Sequence, residues 1–313
     1  MEGVLLGFGI VLVIIGVGLL SAALLPRDTA VQMQRGLTPA IYYVTNPLLM
    51  VVLLAEADLA VLVGTFVPVA LVVAGVGAAA YAVVSWLVLH RPLAQTAVGS
   101  MASTYLNAGN IGLPIAIYAV GTPAPAVAVL MAQLLVVAPL YLTLFGWCSR
   151  QAGSAQPRLW RTIIRSVANP VTVGAVVGVA MALIDWTPPE ILWTPVDMLG
   201  HASIPLLLLL FGMSLYGQRP LQDRALVPDI VWGSVVKLAV MPAAAWAIGR
   251  FVFGLSGAEL FGVVAMAALP TAQNVYLFSS QFKLPNLLVR DIVFTSAVLS
   301  LPVILVVAVL LGP

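Results

Sequence analysis

Residues 102–121 read ASTYLNAGNIGLPIAIYAVG, an apolar stretch that holds Asn107, Gly109, Asn110, Gly112 and Pro114 within eight positions. Proline at 114 removes one backbone donor and its ring clashes with the carbonyl four residues earlier, at Asn110. The two glycines loosen the same turns. The stretch therefore reads as a helix interrupted near its centre. Residues 267–282, AALPTAQNVYLFSSQF, offer the pattern again: Pro270 is followed by Thr271, Gln273, Asn274 and Tyr276. Irregular backbone at membrane depth is tolerated only where protein buries it or where it lines a wet cavity. An interruption also presents the free N–H groups of a half-helix start, which favour an anion. One such kink is ordinary in a transmembrane helix. Two, in corresponding helices, point to a binding site for a transported solute.

The rest of the chain agrees with a membrane setting. It has 313 residues, 62% hydrophobic and 8% charged, with a mean hydropathy of +1.12. A soluble domain carries roughly 25% charged residues, so this chain cannot clothe a water-facing surface. Apolar runs fall near 3–25, 37–55, 62–89, 93–120, 124–148, 170–186, 191–216, 230–253, 258–281 and 289–311. A bilayer-crossing helix needs about 20 residues, so ten spans leave only short loops. None of the runs alternates as barrel strands do. The expected fold class is an all-α polytopic membrane protein of ten transmembrane helices. Ordinary cytoplasmic enzymes, nucleic-acid binders and disulfide-stapled modules are excluded. The run at 3–25 lacks a basic leader and exceeds a signal-peptide core, so it is expected to be a retained first span. The one cysteine, Cys148, suits packing at a helix end.

Loop charge orients the spans. If the chain starts outside, the inner connections hold Arg27, Arg35, Arg91, Arg150, Arg158, Arg161, Arg165, Arg219, Arg224, Lys283 and Arg290. The outer connections hold only Arg250, with Glu2, Glu56, Asp58, Asp185, Glu190 and Glu259 on that side. Lys/Arg bias sets topology, so both termini are expected on the outer face of the plasma or inner membrane. Residues 149–169, including Trp160, form the longest connection, expected in the cytoplasm as a stop-transfer signal.

That loop divides the chain into 1–148 and 170–313, five runs each, so any repeat must be inverted. Second-in-half runs share TNPLLMVVLL around Pro47 and SIPLLLLLFG around Pro205. Fifth-in-half runs share VVAPLYLTLF around Pro139 and VLSLPVILVV around Pro302, and the fourth-in-half runs carry Pro114 and Pro270. The shared order suggests inverted repeats meeting around a mid-membrane site, the plan of secondary transporters.

These residues carry a resemblance. N-x2-N-I-G-L-P from Asn107 to Pro114 resembles the auxin efflux carrier family, which includes bacterial organic-acid carriers and plant PIN-type carriers. A-L-P-T-A-x-N from Ala268 to Asn274 is similar to the family's ninth-helix motif. L-G-x-x-x-x-P-L-x-L-L-x-x-G from Leu199 to Gly212 and L-M-A-Q from Leu130 to Gln133 resemble its seventh and fifth helices. The resemblance implies broken helices 4 and 9 crossing at mid-membrane, a scaffold of helices 1, 2, 6 and 7, and a moving domain of helices 3–5 and 8–10. It implies small organic anions as substrates, Asn107 as the amide facing the carboxylate, Gln133 as a nearby polar contact, and a homodimer through the scaffold. Where PIN-type carriers resemble P-L-L-S, this chain has Pro47-Leu48-Leu49-Met50, which points away from auxin itself. The long central loop of many plant carriers is missing too, which favours a bacterial-type member.

Other intramembrane polar residues complete the candidate set. Lys237, in DIVWGSVVKLAV, either compensates an acidic substrate, occupies the place of a coupling cation, or snorkels to the inner headgroups. Asn46 lines the cavity from the second run or caps a kink there. His201 and Asp197 suit an interfacial polar cap better than proton coupling. The Gly3/Gly7 and Gly174/Gly178 pairs suit close helix packing. No span carries a mid-membrane acidic pair, which weakens a sodium/proton antiporter reading. There is no H-E-x-x-H, nor a nucleophile–base set, so an enzyme is not expected, and no cofactor is. A channel, a non-transporting sensor or a cation-coupled symporter on the same scaffold stays open beside the carrier.

Overall fold

A computed structural model of the chain describes residues 2–151, 168–217, 221 and 223–312. Arg158, Trp160, Arg161, Arg165 and Arg219, used above for orientation, lie outside the described residues. Among the described residues there is no strand. The helices are α1 (Glu2–Leu24), α2 (Arg27–Ala55), α3 (Leu59–Leu87), α4 (Leu93–Thr104), α5 (Ala108–Val120), α6 (Ala124–Ser149), α7 (Pro170–Leu183), α8 (Glu190–Leu215), α9 (Arg224–Val252), α10 (Gly257–Ala267), α11 (Asn274–Gln281) and α12 (Asn286–Leu311). Of these, seven (α1, α2, α3, α6, α8, α9 and α12) are long and apolar enough to cross a bilayer. The fourth and ninth apolar runs are each divided, into α4 and α5 and into α10 and α11. The sixth run holds the shorter helix α7, of 14 residues.

Helix ends follow local chemistry. Asp58 caps α3 by accepting the Ala60 and Val61 N–H groups at 3.0 and 3.2 Å. Asn169 caps α7 through the Thr172 N–H at 3.0 Å. Gly121, at φ +87°, ends α5 in a left-handed turn that disfavours a side chain. The second run begins ten residues earlier than its hydropathy suggests. The polar segment Arg27–Ala40 continues the same helix, with Ala30 buried and Gln34 donating to the Met213 carbonyl at 3.1 Å.

Pro114 does not break its helix as the sequence suggests, and four further prolines are accommodated in the same way. Pro47, Pro68, Pro114, Pro139 and Pro242 each follow a widened π-type turn, at Ile41–Thr45, Leu62–Phe66, Ala108–Gly112, Gln133–Val137 and Val236–Val240. Bonding five residues back instead of four adds room ahead of the pyrrolidine ring and relieves its clash with the preceding carbonyl. The turn at Asn110 is thus widened rather than unwound, and the fourth-run interruption lies earlier, at Tyr105–Asn107.

Two groups of helices share the interior. In one, α1, α2, α7 and α8 approach backbone to backbone. Gly174 faces the Pro47 carbonyl, Gly212 the Ile15 carbonyl, and a carbon added at Gly178 would lie 2.7 Å from the Val51 carbonyl. Any side chain would separate these helices, as in small-xxx-small contacts generally. In the other group, Trp232 of α9 donates to the Ala80 carbonyl of α3 at 3.3 Å. Ser234 of α9 meets Thr295 of α12 at 3.2 Å. At Gly7, α1 rests directly on the Tyr118 carbonyl of α5, which joins the two groups.

Candidate functional site

Where α4 stops at Thr104, Tyr105 turns extended (φ −78°, ψ 111°), and Asn107 (φ −80°, ψ 55°) precedes α5. The α10–α11 gap spans 268–273 around Pro270. These gaps meet. Leu106 and Thr271 lie side by side in antiparallel sense. The Asn107 N–H donates to the Pro270 carbonyl at 2.8 Å, and the Ala272 N–H to the Tyr105 carbonyl at 3.1 Å. Main chain that leaves a helix away from water must find new partners, and here each gap supplies them for the other.

The carbonyls orphaned at the end of α4 are satisfied one by one. Tyr105 N–H returns to the Met101 carbonyl at 2.8 Å. The Thr271 hydroxyl donates to the Ala102 carbonyl at 2.6 Å. Gln133 of α6 donates to the Leu106 carbonyl at 3.1 Å. Lys237 of α9, fully buried, reaches the Tyr105 carbonyl at 3.4 Å. Snorkelling is therefore not what this lysine does: its amino group turns inward to the crossing. Ser296 of α12 accepts the Thr271 N–H at 3.0 Å and donates to its hydroxyl oxygen at 3.2 Å. Sequence reasoning missed Ser296; its only signal was a serine, flanked by Thr295 and followed by Ser300, in a largely apolar tenth run.

Asn107 stands where the candidate chemistry is richest. It is buried, its carbonyl accepts the Ile111 and Gly112 N–H groups at 3.1 Å, and its side chain does not cap the helix it precedes. The first-turn N–H groups of Ala108, Gly109 and Asn110 have no acceptor within α5. Gly109 and Asn110 are half-buried. Free N–H groups at a helix start beside an uncommitted carboxamide suit a carboxylate.

Other predicted residues divide by environment. Gly112 has a packing role, because a carbon added there would lie 2.7 Å from Leu269 Cδ1. Pro114 is buried inside α5, and Pro270 contributes its carbonyl to the crossing. Gln273, Asn274 and Tyr276 are exposed, outside the buried hydrogen-bonded set. Asn46 is buried in α2 and takes no part in the hydrogen bonds of the crossing. His201 pairs with Asp197 at 2.9 Å on an exposed face, as a polar cap would.

Two buried acids also escaped the sequence reading. Asp229, at the start of α9, accepts Arg91 at 2.8 Å and Gln95 at 3.1 Å. Asp291, at the start of α12, accepts Arg290 at 2.8 Å and the Leu221 N–H at 3.1 Å. Their positions at helix starts resemble loop residues in sequence, which hid their burial. Among the described residues no group of His, Cys, Asp and Glu could hold a metal ion.

A family model described as membrane transport protein matches residues 8–308, nearly the whole chain. The chain belongs to this family, that of the auxin efflux carriers. Its relatives are carriers rather than enzymes. The family chain is 27% identical over 202 residues to a protein of Rhizobium meliloti (strain 1021) named "Putative malonate transporter", covering 62% of this chain and 60% of that one. It is 29% identical over 161 residues to "Probable auxin efflux carrier component 5b" of Oryza sativa subsp. japonica, covering 49% of this chain and 42% of that one. To "Probable auxin efflux carrier component 1b" of the same plant it is 26% identical over 167 residues, covering 49% and 28%. The chain thus spans from about a quarter to three fifths of the curated relatives it matches. With these family ties and its long apolar helices, it is a multi-pass membrane protein of this family.

Proposed function

We propose that this chain is a secondary carrier for small organic anions, mono- or dicarboxylates, working by elevator-type alternating access. The observation that carries the reading is the antiparallel pairing of the two gaps, through Asn107 N–H to Pro270 and Ala272 N–H to Tyr105. In this reading the ten runs form two inverted five-helix repeats, 1–148 and 170–313, joined by the cytoplasmic loop 149–169. The divided helices cross at mid-membrane. Both termini face outside, across the plasma or inner membrane, as the Lys/Arg bias supports.

The substrate carboxylate sits against the Asn107 amide and the first-turn N–H groups of α5. Asn110 flanks it, and Gln273, Asn274 and Tyr276 face the same wet cavity from the α11 side. Gln133 and Thr271 act by holding the crossing in shape. Lys237 places a buried positive charge behind the Tyr105 carbonyl and compensates the anion at short range, where low dielectric makes charge count most. The name of the Rhizobium meliloti relative supports a short dicarboxylate such as malonate as a first substrate to try.

The hydrogen bonds described above support the two-body motion. They tie α4 and the gap after it to α6, α9 and the gap before α11, that second gap to α12, and α2 to α8. Between the two groups, α1 and α8 meet α5 by packing, with Gly7 against the Tyr118 carbonyl. So α1, α2, α7 and α8 form the static scaffold and the other helices the moving body. Two copies pair through the scaffold.

Reconstituted vesicles test the function. Radiolabelled malonate uptake is expected to saturate and to be accelerated by unlabelled malonate on the opposite side. Uptake without such counterflow, together with single-channel currents, would contradict a carrier.

A further inference from the structure

We propose that Thr45, Asn46 and Ser203 form a site for one small monovalent cation, sodium being the size we assign, between α2 and α8. The site is separate from the crossing. Thr45 Oγ1, Asn46 Oδ1 and Ser203 Oγ are all buried side-chain oxygens without a hydrogen-bond partner. Ser203 has no exposed surface, while Thr45 and Asn46 retain 8% and 7%. Unpartnered polar atoms this deep are costly and call for an occupant.

Helix register brings the three to one level. A carbon added at Gly200 would lie 3.0 Å from the Leu49 nitrogen, and Gln34 reaches the Met213 carbonyl at 3.1 Å. These two contacts fix α2 and α8 as antiparallel partners. Ser203 follows Gly200 by one turn on the same face of α8. Thr45 and Asn46 precede Leu48 and Leu49 by one turn on the facing side of α2. Moving one turn along each helix in opposite chain directions brings the three residues opposite each other.

Chemistry selects the occupant. Pro47 and Pro205 each remove a main-chain donor at this level, which leaves the place rich in oxygen and poor in N–H. A single water donates two hydrogens, whereas a dehydrated cation attracts every oxygen around it. Two hydroxyl oxygens and a carboxamide oxygen match a monovalent ion rather than calcium or magnesium, which draw on carboxylates or retain waters. Because both helices belong to the scaffold of the carrier reading, the ion stays in place during transport and stiffens the static body.

Thermal unfolding of the purified full-length protein in detergent, at constant ionic strength, tests the site. Replacing choline chloride with sodium chloride is expected to raise the midpoint to a plateau. Ser203→Ala should weaken the apparent sodium affinity roughly tenfold, while Thr45→Ser, which keeps the oxygen, should stay close to wild type. Equal midpoints in sodium and choline for the wild-type protein would overturn the site and leave a hydrated pocket. A sodium response unchanged in both Ser203→Ala and Asn46→Leu would overturn it equally. In the wild-type protein, malonate-induced stabilisation without any sodium effect defeats this inference alone, and a sodium effect without malonate-induced stabilisation defeats the carrier reading alone.

Discussion

Lys237 carries its amino group into a place where one carbonyl, 3.4 Å away, is the hydrogen-bond acceptor it reaches. An ammonium buried on such thin support costs folding free energy that a methionine of similar shape would not. Lys237→Met is therefore expected to hold or raise the melting temperature while weakening acid binding roughly tenfold. A variant that unfolds at lower temperature yet binds malonate normally would show the lysine to be structural. Thr271 differs, since its hydroxyl satisfies the Ala102 carbonyl at 2.6 Å and its methyl is buried. Thr271→Val keeps the shape and strands that carbonyl, so it should destabilise by about 1–3 kcal/mol. Denaturant or thermal titration reads that loss, and no loss would mean another donor takes over. Individual roles at this scale were only partly legible. The sequence flags Gln133 and Thr271 as polar among apolar neighbours, but not that their hydrogen bonds go to main-chain carbonyls 27 and 169 residues away.

Interruption of the two helices could be read from sequence, because Gly and Pro have local costs. Its position could not. Pro114 is accommodated by the widened turn Ala108–Gly112, and the gap opens at Tyr105–Asn107, where only pairing with 270–272 makes extended backbone stable. That partner lies more than 160 positions along the chain, beyond any local signal. A similar limit hid Asp229. At the start of α9 it reads as a loop acid, but the α3–α4 turn brings Arg91 and Gln95 onto it. Asp229→Ala should cost about 2–3 kcal/mol, toward the low end for a buried pair because Arg91 keeps 26% of its side chain exposed. Arg91→Met combined with Asp229→Leu should recover most of that loss. If the double variant is as unstable as the single one, the pair does not act as a unit.

Across the whole molecule, composition and the length of the apolar runs sufficed for an all-helical, multi-pass membrane protein, since 62% hydrophobic residues cannot clothe a water-facing surface. The division of labour between helices needed tertiary contacts. Glycines press α7 and α8 onto α2 and α1, hydrogen bonds link α3, α4, α6, α9 and α12 directly or through the two gaps, and packing of α1 and α8 on α5 joins the sets. What the assembly makes at its centre is a buried, hydrogen-bonded meeting of two helix gaps, which we propose as the anion site. That claim is tested most directly by ligand-induced thermal stabilisation of the wild-type protein and Asn107→Ala, comparing malonate with malonamide. Malonate is expected to stabilise the wild type in a saturable way, malonamide to have no effect, and Asn107→Ala to stay folded at its usual temperature yet lose the malonate response. Equal stabilisation by acid and amide, or an undiminished malonate response in Asn107→Ala, would contradict an anion site at the crossing.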